Sequence, residues 1–255
     1  MLKRNIKKHI NKLHQKKYRK EYAEFIIEGI KGVGGALESN SNVNFIVIEE
    51  KKKEDKNILE IIKKAEGLNI EIHYCAQKDI GDIKTTETFP GILAVIKYSK
   101  TVLLDIINDK PIICLDSVKD PGNLGTIIRT ADWFGLPNIL LSENCVDVYN
   151  EKTVRSTMGS IFHTGIYQSQ DIVSDLKNLT QKDYSIVSLT MDGENLKELQ
   201  PKKNNIYVFG SESHGVRSEI IEMGERYTIP GKGNAESLNV AVSAGIVLKK
   251  IVVQK

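Results

Sequence analysis

Three glycine-bearing stretches late in the chain collect the residue types that could do chemistry. The first is DSVKDPGNLGTIIRTADWFG (116–135). Asp120-Pro121-Gly122 is a turn signal, and Asn123 is placed to cap the helix that follows. A helix N-terminus presents unpaired backbone N–H groups and a positive dipole end, which suit a phosphate or a carboxylate. Arg129 lies about two turns further on, a cation on an otherwise apolar helix surface. It could hold an anionic ligand, or it could be a structural arginine paired with Asp132 or Asp116. The second stretch is VFGSESHG (208–215), where Glu212 sits between Gly210 and Gly215. Glycines let a backbone come close to a ligand. Glu212 could accept from a ligand amine or hydroxyl, or orient Arg129, or be an ordinary polar turn residue. His214 beside it reads as a loop histidine, and His9, His14, His73 and His163 lack ligand spacing. The third stretch is IPGKGNAESLNVAVSAGI (229–246). Ser237 or Asn234 can cap a final helix whose first turn contains Asn239. A polar side chain in so apolar a helix is costly without a partner, so Asn239 either serves a ligand or satisfies the loop backbone.

The elements that must position these loops follow from hydrophobic patterning. Short β-branched or apolar runs at 111–117, 137–143, 163–167, 184–189, 205–210 and 225–231 predict strands. Helical patterns fall between them at 123–134, 151–160 and 171–179, and the apolar run 237–253 predicts a closing helix. Strands alternating with helices imply a mostly parallel sheet with helices on both faces, and ligands in such sheets sit at the carboxyl ends of strands. The first hundred residues read as a smaller α/β unit, with a basic, partly helical arm over 3–20 and a helix from Tyr22 to Leu37 ending near Gly34 or Gly35. Strands are expected at 43–50, 69–75 and 91–97 and a helix at 55–66. Residues 98–110 read as a joint, dividing the chain into domains 1–108 and 109–255.

Composition narrows the class further. The chain has 255 residues with 40% hydrophobic and 27% charged, which suits a folded α/β protein with a real core. Apolar stretches are too short to cross a bilayer, and the basic N-terminus lacks the apolar core of a signal peptide, so the expectation is a cytoplasmic protein with no membrane partner. The 3 cysteines, Cys75, Cys114 and Cys145, have no CxxC spacing, which argues against a disulfide framework or a zinc cluster. Net charge is +3, but residues 1–108 carry 20 Lys+Arg against 15 Asp+Glu and residues 109–255 carry 16 against 18. Residues 1–20 hold nine basic residues and no acid, a field that attracts polyanions such as RNA or merely solvates a basic tail.

Taken together, in order and spacing, the three stretches resemble the three signature motifs of the SpoU family of RNA ribose 2′-O-methyltransferases. The resemblance spans about 111–252. YRKEYAEFIIEGIKGVGGAL and TFPGILAVIK resemble the opening helix and closing strand of the substrate-binding domain that precedes this catalytic domain in many members, with Pro90 in place of the customary polar residue before Gly91. The resemblance implies a catalytic half containing a deep trefoil knot, preceded by a small α/β RNA-binding domain. It implies S-adenosylmethionine bound by the loop after Leu189 with Thr190, by Gly210 to Gly215, and by Ile229, Pro230 and Leu238. It assigns catalysis to Arg129, with Glu212, Asn239, Asn123 and Ser237 orienting ribose, arginine and cofactor, and with no metal. It implies a homodimer through the catalytic domain and RNA as substrate, ribosomal RNA before transfer RNA. A non-catalytic RNA-binding or ribosome-assembly protein, and a small-molecule enzyme using the glycine loops for a nucleotide, are the competing expectations.

Overall fold

The computed structural model describes residues 2–99, 101–108 and 110–252. Met1 of the expected arm, Lys100 and Asp109 of the expected joint, and Val253 of the expected final helix lie outside them. Two compact units are formed, one from Met1–Ser99 with Asp147–Phe162, the other from Lys100–Val146 with His163–Lys255.

The first unit contains α1 (Arg4–Leu13), α2 (Lys16–Tyr22), β1 (Glu24–Glu28), α3 (Ile30–Glu38), β2 (Asn42–Glu49), α4 (Lys56–Gly67), β3 (Glu71–Cys75), α5 (Gln77–Ile83) and β4 (Ile92–Lys97). The sheet order is β1-β4-β2-β3, with only β2 and β3 parallel. The basic arm is not a frayed tail: Ile10 and Leu13 of α1 are completely buried and join a core that includes Ile26, Phe45 and Leu93. The helix expected from Tyr22 to Leu37 is instead a strand followed by a helix. Ala23 turns the chain in the left-handed region at φ 52°, β1 follows, and Gly29 at φ +91° turns it again into α3. Phe25, Ile26 and Ile27 are all buried, so β1 lacks the alternation that marks a half-exposed strand. Its apolar residues happen to continue the three- and four-residue spacing of α3, which then runs through Gly34 and Gly35. The short helix α5 has no counterpart in the sequence reading.

The second unit holds β5 (Ile112–Leu115), α6 (Pro121–Trp133) and β6 (Asn138–Leu141). The chain then supplies α7 (Glu151–Thr157) to the first unit and returns for β7 (Gly165–Gln168), α8 (Ile172–Thr180), β8 (Ser185–Asn195), β9 (Asn205–Phe209), α9 (Ser218–Ile221), β10 (Glu225–Thr228) and α10 (Val240–Val252). Six strands in the order β10-β8-β9-β5-β6-β7 make a wholly parallel sheet. Ile112, Cys114, Ile206 and Val208 pack on Ile172, Leu176 and Leu179 of α8, while their neighbours Ile113, Leu115, Tyr207 and Phe209 are buried too. Both sheet faces are therefore covered, as continuous apolar strands require. From β5 the chain winds outward through β6 and β7, then resumes on the other side with β8 and β9. The crevice between the carboxyl ends of β5 and β9 is thus the point where strand order reverses, the usual place for a ligand in an open parallel sheet.

Within the first unit, Arg19 of α2 anchors the 147–162 segment. It is buried, donates from Nε and Nη2 to Asp147 Oδ2 at 3.0 and 2.7 Å, and donates from Nη1 to the carbonyls of Leu13 and His14, both at 2.9 Å. Tyr149 stacks on Tyr98 at 3.9 Å between ring centroids, and His14 Nδ1 meets Glu151 Oε1 at 2.5 Å.

Candidate active site

Two of the three glycine loops leave the sheet at the reversal point. The loop after β5 leads into α6, where Asp120, not Asn123, is the N-cap: its Oδ1 accepts from Asn123 N at 2.7 Å, and Pro121 occupies the first turn. Asn123 is thereby moved into the first turn, its amide free to reach outward. The loop after β9 is a tight five-residue turn closed by Ser211 N donating to Gly215 O at 3.1 Å and Gly215 N to Ser211 O at 3.0 Å. Gly210 permits this closure, since a Cβ there would fall 1.9 Å from the carbonyl carbon of Gly215. Glu212, Ser213 and His214 stand exposed at its tip, with Ser213 Oγ 2.7 Å from His214 Nδ1.

The third loop ends at Asn239, which is the cap of α10 and not a residue inside it. Its Oδ1 accepts from the N–H groups of Ala241 at 2.9 Å and Val242 at 3.3 Å. Neither Ser237 nor Asn234 performs that role; both lie in the exposed stretch 231–239.

These three loops meet through a short chain of side chains. Asn239 Nδ2 donates to Asn123 Oδ1 at 3.0 Å, and Asn123 Nδ2 donates to Glu212 Oε1 at 2.5 Å. Residues separated by 116 and 89 positions in sequence are thus joined into one polar string. Both amides are bonded at each end and so oriented, and the second carboxylate oxygen of Glu212 accepts no hydrogen bond among the described residues.

Arg129 lacks the protein partners that the sequence offered it. It is exposed on α6 and makes no hydrogen bond or ion pair among the described residues. Glu212, its anticipated partner, bonds Asn123 instead, and Asp116 is taken by Arg217. Arg129 shares a helical stripe with Thr126, Thr130 and Trp133, and Trp133 is 84% exposed. The neighbouring α10 presents Val242 and Ile246 to solvent as well, 51% and 40% exposed.

Of the remaining residues that the resemblance assigns to the cofactor, Leu189 and Thr190 lie in β8, and Ile229 and Pro230 just past β10. Leu189 pairs with Phe209 at the end of β9. Beyond it β8 makes an excursion: Arg226 of β10 pairs with Ser188 but Tyr227 pairs with Glu194. Thr190 lies in that excursion, and its Oγ1 is buried without a hydrogen-bond partner among the described residues, as is Ser188 Oγ. Ile229 is half-buried just past β10, and Pro230 and Leu238 are exposed. No group of three or more His, Cys, Asp or Glu able to hold a metal ion occurs among the described residues.

One cluster escaped the sequence reading. Asp116, at the end of β5, is completely buried. Its Oδ2 accepts from Arg217 N at 3.0 Å, and its Oδ1 from Arg217 Nε at 2.9 Å and Ser117 Oγ at 3.1 Å. Arg217 Nη2 is 2.8 Å from the same Oδ1, near enough for ion pairing but too far off-line to donate. Nη1 donates to Glu143 Oε1 at 2.8 Å. Partial burial works against the charge on Arg217, yet its bonds to Asp116 and Glu143 raise its pKa above the usual guanidinium range. Burial likewise opposes the charge on Glu143, and the Arg217 bond holds its pKa below the ordinary carboxylate value. No spacing could have flagged three residues so far apart.

Comparison with known proteins bears on this geometry. Residues 110–249 match the SpoU rRNA Methylase family, and residues 4–94 match the MRM3-like substrate binding domain. The chain is 31% identical to the 23S rRNA (guanosine(2553)-2′-O)-methyltransferase RlmP of Bacillus subtilis, over 93% of this chain and 92% of that one. The AdoMet-bound rRNA methyltransferase from Sinorhizobium meliloti superposes with a TM-score of 0.84 at 28% identity, covering 97% of this chain and 94% of that one. The SpoU methyltransferase AviRb from Streptomyces viridochromogenes shares the fold, with a TM-score of 0.86 at 23% identity over 99% of this chain and 98% of that one. With more than half its length matched and its motif residues gathered at one sheet edge, the chain belongs to the SpoU rRNA Methylase family.

Proposed function

We propose that this protein transfers a methyl group from S-adenosylmethionine to a ribose 2′-hydroxyl of RNA, with ribosomal RNA as the substrate class. The observation that carries the reading is the Asn239–Asn123–Glu212 string, which draws all three family motifs to the reversal point of the parallel sheet. RlmP of Bacillus subtilis and RlmB of Neisseria meningitidis, both named 23S rRNA methyltransferases, align over 93% and 88% of this chain and favour ribosomal over transfer RNA.

The residues present fit the cofactor. Thr190 Oγ1 is a buried hydroxyl lacking a partner at the carboxyl edge of the sheet, as expected of a group reserved for a polar ligand atom. Leu189, Ile229 and Leu238 offer apolar contact for an adenine ring, and the Gly210–Gly215 and Ile229–Pro230 backbones offer polar groups beside it. When bound, the cofactor supplies a methyl group activated on a sulfonium. The protein's task is then to position and polarise.

Asn123, Glu212, Ser237 and Asn239 orient the ribose and the polar end of the cofactor in this reading. Arg129 presents five N–H donors and no acceptor, so it is no general base. Its role is to clamp an RNA phosphate and to stabilise the oxyanion as the 2′-hydroxyl proton passes to that phosphate or to solvent.

The reading includes a homodimer through the catalytic unit. Trp133, Val242 and Ile246 form an exposed apolar stripe next to Arg129, and a second copy covering it would complete the site around that arginine. It also includes the trefoil knot of the family, a cytoplasmic location, and a division of labour in which domain 1–108 grips RNA while 109–255 carries out transfer. Free, buried Cys75, Cys114 and Cys145 suit a reducing compartment.

The test is calorimetric binding of S-adenosylmethionine, followed by transfer of labelled methyl to RNA and mapping of 2′-O-methyl sites. Arg129→Ala should bind the cofactor and transfer little. Full activity in that variant refutes its catalytic role, and failure of the wild type to bind cofactor refutes the enzyme in favour of a non-catalytic RNA-binding protein.

A further inference from the structure

We infer that Arg217, gripped by Asp116 and Glu143, is a positioning residue that sets where the Glu212 turn stands; the inference rests on the catalytic reading above. The turn from Ser211 to Gly215 has few ties to the rest of the protein. Its backbone ladder is internal, the bonds of Ser213 and His214 are internal, and its one side-chain link outward among the described residues runs from Glu212 to Asn123. Flanked by glycines, such a turn would otherwise swing on its stem. Arg217 stands two residues past Gly215 and fixes the far side of that stem. Its backbone N–H and its guanidinium both close on Asp116, and the guanidinium also reaches Glu143 at the end of β6. Glu143 is braced in turn by Ile172 N at 3.4 Å.

The location of Asp116 makes the link functional. Asp116 ends β5, its own N–H donates to Phe209 O at 2.8 Å, and the next residues lead through Ser117 to Asp120 and Asn123. One carboxylate therefore ties the root of the loop that delivers Asn123 to the root of the loop that delivers Glu212. A fully buried carboxylate is a poor way to gain stability, since apolar residues of similar volume often do as well or better. What the ion pair supplies, and an apolar pair cannot, is a fixed direction: two acceptors and one guanidinium fork define where the turn ends.

The experiment is a double-mutant cycle with a direct readout of the turn. Arg217→Lys keeps the charge and loses the fork. It should lower kcat at saturating cofactor and RNA by about tenfold or more, while KM for the cofactor moves less than about threefold. Glu212→Gln should be costly in the wild type and nearly silent in the R217K background, because the carboxylate charge it removes is already misplaced. Hydrogen exchange of the Ser211 and Gly215 amides should quicken about tenfold in R217K, with Ile206 and Val208 of β9 unchanged. Glu143→Gln, which leaves the Asp116 pair intact, should act in the same direction but less, and stands in if R217K unfolds. Additive effects of E212Q and R217K, or unchanged exchange at Ser211 and Gly215, overturn the inference. The exchange measurement needs no methyl transfer, so it decides the positioning role even if the wild type proves inactive, an outcome that refutes the catalytic reading alone.

Discussion

Replacing Asn123 with alanine should separate activity from stability more cleanly than any other change at the site. The side chain makes two bonds, from Nδ2 to Glu212 Oε1 at 2.5 Å and from Asn239 Nδ2 to its own Oδ1 at 3.0 Å. Neither holds α6 in place: the cap is the bond from Asn123 N to Asp120, a backbone donor that alanine retains. Alanine is also the better helix former, so the folded state should lose little, within about 0.5 kcal/mol. The catalytic loss follows from the two bonds. Between exposed or half-buried groups these bonds add little net stability, since water replaces them when they break, but each fixes the direction of a group facing the ligand, and that orientation is taken at about 1–1.5 kcal/mol of transition-state stabilisation. Their sum, about 2–3 kcal/mol, corresponds to about a 30- to 150-fold fall in kcat/KM for methyl transfer. The assay is labelled methyl transfer to RNA under single-turnover conditions, paired with thermal unfolding of the same sample. A variant within threefold of the wild type, or one whose lost activity tracks a lost Tm, would show that the polar string is an incidental contact between loops.

Three further outcomes follow from the described geometry. Arg19→Ala removes one partner of a buried ion pair and should cost about 3–5 kcal/mol, whereas replacing Arg19 and Asp147 together by Met and Leu should cost less than either single change; equal or additive costs in urea unfolding would count against the pair. The hydrogen bond to Glu151 raises the pKa of His14 above the ordinary 6.5, partly opposed by burial. A raised folded-state pKa means that its contribution is full below 6.5 and fades as pH climbs through the folded value, so the urea midpoint of the wild type should fall across that interval relative to Glu151→Gln, and parallel curves would dismiss the linkage. Trp133→Glu places a charge on the exposed stripe of α6 and should turn the proposed dimer into a monomer in sedimentation; a dimeric wild type with a variant that sediments like it, or a monomeric wild type, would rule that face out as the contact.

Much of the second unit was legible because its local signals agree with its global arrangement. Apolar strands such as Ile112–Leu115 and Asn205–Phe209 lie between turn residues, and the glycine loops after them mark the sheet edge where a ligand belongs. The motif residues Asn123, Glu212 and Asn239 were found by type and position, but who bonds whom was not. Glu212 was expected to hold Arg129 and instead holds Asn123, because partner choice depends on loop paths that periodicity does not encode. Caps shifted for a similar reason. Asp120 outcompetes Asn123 because Pro121 starts the helix one residue after it, and Asn239 starts α10 later than Ser237 would. In the first unit β1 carries the pattern of a helix because its residues are buried on both sides and show no period of two. The Asp116–Arg217–Glu143 cluster had no local signature, as its members come from just past β5, just past β6 and the N-terminal cap of α9.

The excursion of residues 147–162 has a consequence for anyone wishing to work with half of this protein. A gene fragment beginning near residue 110 would still encode Asp147, Tyr149, Glu151 and Phe162, yet would lack Arg19, Tyr98, His14 and Phe25, against which they pack. Such a fragment would carry a buried-type carboxylate with no counter-ion and two aromatic rings, Tyr149 and Phe162, stripped of their partners. The halves are stitched together rather than strung in series, so a clean excision must either shorten the connection between β6 and β7 or repaint its inner surface with polar residues.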